Sequence, residues 1–318
     1  MIPTPRKTDR KLLGRIVGSV LSLILLLYLL SQQGWGEILA AIRAIPPATM
    51  AAVLVLLFIS RLAISARWYT LLRVADNSIP FREAVRLTLA GLFAANFLPT
   101  TVGGDVVRAA GVVRLSRNPV ASTASIVADR LIGMFGMFMI LPVGVSLLTT
   151  WLQSPSGPAA SAPALWFALA AAPAPAGWRA RVEALRRLLI RFFESFQLWL
   201  RRPTALLVSL GFTWLHMVCL FGEIWFLLRG MGETTTMVTI GGLWSLSYFV
   251  TLIPISINGL GLREVSVTYI FSELAGIPVQ TALTLALILR ALDMLVSLPG
   301  AILIPTLPGR EDPARVAT

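Results

Sequence analysis

A chain of 318 residues that is 56% hydrophobic and 13% charged carries about half the charge of a soluble domain. Its apolar excess argues that the solvent is lipid. The single Cys219 and the single His216 exclude an intramolecular disulfide, a cysteine zinc site and a histidine metal cluster, so no cofactor is expected. The net charge of +12 raises nucleic acid as a partner, but most basic residues fall in short loops, where they orient a membrane protein; no nucleic-acid partner is expected.

In chain order, Arg6, Lys7, Arg10 and Lys11 precede the apolar run Leu12–Leu30. The pattern is close to a secretory signal, but Ser31-Gln32-Gln33-Gly34-Trp35 offers no small-x-small cleavage site, so the run is read as a retained first span. Candidate spans follow at 48–70, 83–98, 120–150, 162–175, 203–229, 236–253 and 278–305, with 162–175 short and interrupted by Pro173 and Pro175. The fold class is therefore an all-α, polytopic transmembrane bundle of about eight spans, forming one integral membrane domain over 1–318. Residues 178–201 read as a basic interfacial helix in which Leu185, Leu188, Leu189, Phe192, Phe193 and Phe196 can share a face. A connector packed on the bundle is the alternative reading. The tail over 308–318 is expected to be disordered.

Two apolar stretches, 103–116 and 259–273, are too short to cross. They follow Pro99-Thr100-Thr101-Val102-Gly103-Gly104 and Pro254-Ile255-Ser256-Ile257-Asn258-Gly259. Such breaks are tolerated in lipid only where protein or a watery cavity satisfies the freed backbone. If both stretches turn back as re-entrant half-helices, Arg67, Arg73, Arg82, Arg86, Arg114, Arg117, the 179–202 arginines and both termini share the cytoplasmic side, and only Arg43 and Arg229 lie outside. That asymmetry is the positive-inside pattern.

The two breaks form an internal repeat. Pro99 and Pro254, Gly104 and Gly259, and Arg108 and Arg263 each stand 155 residues apart. Arg130 and Arg290 follow in the next span of each half, at spacings that differ by five. The first break is entered from the cytoplasm and the second from outside, so the units, about 81–150 and 235–305, are inverted, with their half-helices meeting near the midplane. Paired Gly/Pro-interrupted segments in inverted halves point to a transporter's central site.

A helix N-terminus offers free N–H groups and about half a positive charge. Two such ends with Arg108 and Arg263 one turn in would make an anion site. Gly103, Gly104, Gly259 and Gly261 would permit close approach, Asn258 would cap or line the site, Asp105 and Glu264 would tune the arginines or meet a cationic headgroup, and Arg130 and Arg290 would support the cavity. The competing reading is a buried hairpin with structural ion pairs, since Asp105–Arg108 and Arg290–Asp293 have i,i+3 spacing. The interior charges then balance as Arg61, Arg108, Arg130, Arg263 and Arg290 against Asp105, Asp129, Glu223, Glu264 and Asp293. Ten ionisable groups in one small bundle, each costing about 2.5–3.5 kcal/mol at a helix centre, favour a functional cavity.

The block Asn96-Phe97-Leu98-Pro99 through Gly103-Gly104-Asp105-Val106-Val107-Arg108, followed by Ala128-Asp129-Arg130-Leu131-Ile132-Gly133, resembles the lysylphosphatidylglycerol synthase transmembrane-region family. So does Pro254-Ile255-Ser256 through Gly259-Leu260-Gly261-Leu262-Arg263-Glu264, with Arg290 downstream. The likeness runs from about residue 12 to 305. In two-domain relatives this region is implicated in moving aminoacylated phosphatidylglycerol between leaflets, and a separate soluble domain attaches the amino acid. The resemblance implies a flippase-like protein without that catalytic domain, in the bacterial cytoplasmic (inner) membrane, with both termini cytoplasmic.

The expected function is thus a lipid flippase or translocator rather than an enzyme. Its partners would be membrane lipids with an anionic headgroup or lipid phosphate. Two alternatives stand: an accessory protein that recruits a lipid-modifying enzyme or glycosyltransferase through 178–201, and a membrane enzyme on a lipid-linked substrate using paired carboxylates. The sequence shows no metal-ligand cluster and no nucleophile–histidine pair for the latter.

Overall fold

Proline at the first helical position fixes where several helices begin, because its missing N–H costs nothing there and its φ is already helical. In the computed structural model, which describes residues 43, 45–76, 78–97, 103–154, 199–252 and 261–303, α1 is Pro47–Ala75, α2 Phe81–Phe97, α3 Gly103–Leu115, α4 Pro119–Leu152 and α5 Pro203–Gly230. They are followed by α6 Met237–Thr251, α7 Leu262–Ala275, α8 Val279–Ser297 and α9 Pro299–Leu303. Regular structure among the described residues is entirely helical. Asn118 caps α4 by accepting from the Ala121 N–H at 3.3 Å, and Thr236 caps α6 by accepting from the Thr239 N–H at 3.2 Å.

Four stretches are long and apolar enough to cross a bilayer: Pro47–Ala75, Pro119–Leu152, Pro203–Gly230 and Val279–Ile302. These coincide with the expected spans at 48–70, 120–150, 203–229 and 278–305. The expected 83–98 and 236–253 are helices of 17 and 15 residues. The 12–31 and 162–175 spans, most of the 178–201 helix, both breaks and the 308–318 tail lie outside the described residues.

Hydrogen bonds fix which helix ends meet. Asp76, just past α1, accepts from Ser116 Oγ and the Arg117 N–H, both at 2.6 Å, and from the Asn118 N–H at 3.3 Å. The end of α1, the start of α2, the end of α3 and the start of α4 therefore share one end of the bundle. Helix α5 runs antiparallel to α1: the Trp199 indole donates to Leu71 O at 3.0 Å, Gly222 faces Leu56, and Gly230 faces Ile45 and Thr49. It thus delivers α6 to the opposite end. Helix α8 returns, with Asn96 Nδ2 donating to Asp293 O and Ser297 Oγ at 3.2 and 3.1 Å and Gly300 seated on Leu89 and Phe93.

Two antiparallel hairpins result. In α2–α3, Leu87 meets Gly111, and Gly91 meets both Gly104 and Arg108; its open end is the Asp76 end. In α6–α7, Trp244 meets Arg263, and the open end is the opposite one. At about 1.5 Å per residue, α3 and α7 are each about 20 Å long, short of a roughly 30 Å hydrocarbon core. A continuous apolar core of α1, α5, α6, α7 and α8 side chains, including Leu57, Met217, Leu227, Phe271 and Leu285, supports the second hairpin. Where α4 crosses α6, Gly144 and Gly242 let the backbones touch: a Cβ on Gly144 would stand 2.5 Å from Gly242 O.

Candidate functional site

The first short helix opens with Gly103, Gly104 and Asp105. Gly104 is needed for packing, since a Cβ there would lie 2.5 Å from Gly91 O and 3.1 Å from Ala95 Cβ. One turn on, Arg108 is buried, and its Nη2 donates to Asp129 Oδ2 at 3.0 Å. Asp129 Oδ1 accepts from Arg67 Nε at 2.7 Å. The Arg108 guanidinium sits 4.1 Å from the Trp68 ring centroid, and the indole N–H donates to Ser125 Oγ at 3.0 Å. Gly133, one turn past Asp129, makes room for Arg67, because a Cβ there would stand 2.9 Å from Arg67 Nη1. Asp105 accepts from Arg130 Nε at 2.6 Å and from Arg108 Nη1 at 3.5 Å.

The second short helix follows Gly261, whose φ of 77° lies in the region that favours glycine. Arg263 Nη1 donates to Asp293 Oδ2 at 2.8 Å, and Arg61 Nη2 donates to Asp293 Oδ1. The Arg263 guanidinium lies 5.3 Å from the Trp244 ring centroid. Arg290 Nε and Glu264 Oε1 are 3.7 Å apart. The same exchange occurs in both halves. The arginine of the short helix pairs with an aspartate of the next long helix, and the carboxylate of its first turn pairs with an arginine of that long helix. In each case α1 adds a second arginine and a tryptophan covers the first.

Between the hairpin tips lies a cavity of about 400 Å³, walled by Arg61, Arg130, His216, Glu223, Arg263 and Asp293 with apolar and hydroxyl side chains around them. Asn96 from α2 and Trp244, Ser247, Tyr248 and Thr251 from α6 complete the rim. Glu223 is buried, and its Oε1 meets no donor among the described residues. Ser60 Oγ lies 2.8 Å from His216 Nδ1.

Over residues 15–300 the chain matches the family described as the lysylphosphatidylglycerol synthase TM region. The chain belongs to this family. With four membrane-length helices, it is an integral membrane protein. A UPF0104 membrane protein of Methanothermobacter thermautotrophicus is 28% identical over 138 residues, covering 43% of this chain and 39% of that protein. The chain thus spans about two fifths of the length of that curated relative.

In this member of the lysylphosphatidylglycerol synthase TM-region family, the residues singled out in the sequence separate into two groups. Arg263 and Arg130 wall the cavity. Arg108, expected there as an anion contact, is instead closed off between Asp129 and Trp68, because its guanidinium is consumed by a buried carboxylate. Gly103, Gly104, Asp105 and Glu264 build the hairpin tips and Arg290 on α8 pairs with Glu264, none of them in the wall; Gly261 starts α7. Asn258 and Gly259 lie outside the described residues.

Three expectations are corrected. Arg67, assigned to the cytoplasmic side, turns inward to Asp129. Arg290 pairs with Glu264 rather than with Asp293, whose two oxygens are taken by Arg61 and Arg263. A serine and a histidine do meet, at Ser60 and His216, although Ser60 is 1% exposed and does not wall the cavity. Arg61, Glu223 and His216 were not among the expected site residues. Their signal was faint: single polar residues inside otherwise apolar spans.

Proposed function

We propose that this protein translocates a lipid with an anionic phosphate between leaflets, with the cavity between the hairpin tips as its binding site. The observation that carries this reading is the convergence of Arg61, Arg130 and Arg263 on one cavity of about 400 Å³, the volume class of small-ligand sites. A bare phosphate is very costly in hydrocarbon. Arginine forks replace its water with charge-assisted hydrogen bonds, and acyl chains can stay outside the bundle. Arg61 keeps its Nε–H without an acceptor among the described residues, a donor in reserve. The two hairpins, entering from opposite ends, are read as inverted re-entrant units of a single domain. The positive-inside pattern supports a reading with both termini in the cytoplasm, and we take the membrane to be the cytoplasmic one. We read the protein as a transporter and not an enzyme, since Ser60, the hydroxyl that meets His216, is buried and is not part of the cavity wall.

The test is scrambling of a headgroup-labelled phosphatidylglycerol in proteoliposomes. Wild type should move the label, and Arg61→Ala and Arg263→Ala should each slow it by about tenfold or more, the loss of one charge-assisted contact of about 1.5–3 kcal/mol. Equal scrambling by wild type and by the double variant removes the cavity from the mechanism.

A further inference from the structure

Among the described residues, every other carboxylate in the middle of the bundle pairs with an arginine. Asp105 holds Arg130 and Arg108, Asp129 holds Arg67 and Arg108, Glu264 holds Arg290, and Asp293 holds Arg61 and Arg263. Glu223 on α5 stands apart. It is 2% exposed, its Oε1 meets no donor among the described residues, and its carboxyl belongs to the cavity wall. A buried carboxylate without a partner is costly as an anion and cheap as an acid.

We propose that Glu223 is a proton-binding site that couples proton uptake to the arrival of an anionic lipid headgroup in the cavity. The inference rests on the transport reading above.

The argument is local charge balance. Three arginines wall the cavity, and the carboxylates that touch them are Asp293, on Arg61 and Arg263, and Asp105, on Arg130. With Glu223 ionised, three positive groups face three negative ones. A phosphate monoanion added to this set shares the cavity with the Glu223 carboxylate and draws the field of the arginines onto itself. Like charges a few ångströms apart at low dielectric repel strongly, and a proton on Glu223 removes that repulsion. Anion and proton therefore bind together, and each strengthens the other by the same factor.

The groups facing Glu223 fit this role. Arg61 comes from α1, Arg130 from α4, Tyr248 from α6, Arg263 from α7 and Asp293 from α8. On its own helix, His216 lies two turns back on the same cavity wall, and the buried Cys219 lies one turn back. His216 is the other side chain on this wall whose ordinary titration range lies near neutral pH. Its Nδ1 is engaged by Ser60 at 2.8 Å.

The experiment mixes the purified full chain, in weakly buffered detergent, with micelles of dioleoylphosphatidylglycerol or of dioleoylphosphatidylcholine, and follows a pH dye between about pH 5 and 8. Wild type should take up as much as about one proton per chain with phosphatidylglycerol and none with phosphatidylcholine, as a single linked site requires. Glu223→Gln should take up none, and Cys219→Ala, a change outside the cavity wall, should take up as much as wild type. No uptake by wild type overturns the inference, as does uptake that survives in Glu223→Gln. In proteoliposomes, wild-type scrambling of labelled phosphatidylglycerol should fall by up to about tenfold per pH unit on the alkaline side, while Glu223→Gln should scramble independently of pH. Scrambling by wild type without pH dependence overturns the proton site and leaves transport standing. Absence of scrambling at every pH overturns the transport reading, and the dye measurement still decides whether Glu223 takes the proton.

Discussion

Replacing Asp129 by Asn and Asp293 by Asn removes the same charge from two clusters of the same composition, yet the losses should differ. Asn keeps the side-chain volume, so packing is unchanged and the cost is the arginines' lost counter-charge. The Asp129 side chain is 3% exposed, and its partners Arg67 and Arg108 are 10% and 9% exposed. After the change Arg108 keeps Asp105 at 3.5 Å and the Trp68 face, but Arg67 keeps no carboxylate among the described ion pairs. Breaking a buried pair in this way costs about 3–5 kcal/mol. The Asp293 side chain is 18% exposed, Arg263 27% and Arg61 15%, and all three wall the cavity, so cavity water can solvate both released guanidiniums, and the loss should be about 1 kcal/mol. At about 2 °C per kcal/mol for a chain of this size, apparent melting midpoints in one detergent at one heating rate should drop by about 6–10 °C for Asp129→Asn and about 2 °C for Asp293→Asn. A double-mutant cycle between Arg67→Gln and Asp129→Asn should return a coupling of at least about 1 kcal/mol. Equal losses at the two aspartates, or zero coupling in the cycle, would refute the division into a sealed cluster and an open one.

Other expectations concern packing, backbone and the bundle's end. Gly144→Leu should cost several kcal/mol and reduce the yield of folded protein, because the Gly144 Cβ position already lies 2.5 Å from Gly242 O; Gly211→Ala, with nothing within 4 Å, should gain up to about 1 kcal/mol of helix propensity, and melting midpoints separate the two. Gly261→Ala should lower the midpoint by about 2–4 °C, since φ of 77° costs a side chain about 1–2 kcal/mol. The Ser116 hydroxyl, then the Ser78 hydroxyl, with backbone N–H groups of Ser78 and Arg117, hold the Asp76 carboxyl well below the usual carboxylate range. Its contribution is therefore complete above the unfolded-state pKa of about 4 and is lost as pH falls below it. An acid titration of the midpoint should show that limb in wild type and a shallower one in Asp76→Asn.

Much of the scaffold was legible because helix boundaries are local. Pro47, Pro119 and Pro203 start helices within a residue of the expected spans. The repeat at Arg108 and Arg263 located both short helices, since glycines followed by an arginine are features of neighbouring residues, but only Arg108 stands a turn inside its helix; α7 begins at Leu262, so Arg263 is its second residue. The pairing was not legible, because it joins residues far apart in sequence. Arg61 and Asp293 are separated by 232 positions and Arg67 and Asp129 by 62. The i,i+3 rule offered Arg290 to Asp293, and that local pair lost to two arginines reaching in from α1 and α7. Arg67 was misplaced for a related reason: α1 is apolar on nearly all sides, so no amphipathic stripe said which way a charge near its end would turn. Glu223 and His216 lack any motif, and only the convergence of α5 on the two hairpin tips gives them a role.

Helix α1 belongs to neither repeat unit, yet it serves both. Arg61 and Arg67 are six residues apart, about 9 Å along one helix, and one goes to each aspartate. An aspartate that holds only the arginine of its own half would keep that half together. With the second arginine from α1, each half is also tied to a common bar, itself packed along α5. If a phosphate draws Arg61 from Asp293, the tie between α1 and the second hairpin weakens while the tie to the first, sealed under Trp68, stays intact. The two hairpins are thus held unequally, and an anion entering the cavity would compete at the weaker tie. A device in which both clusters were sealed would have no place for an anion to compete, and one in which both were open would have no fixed half for the other to move against.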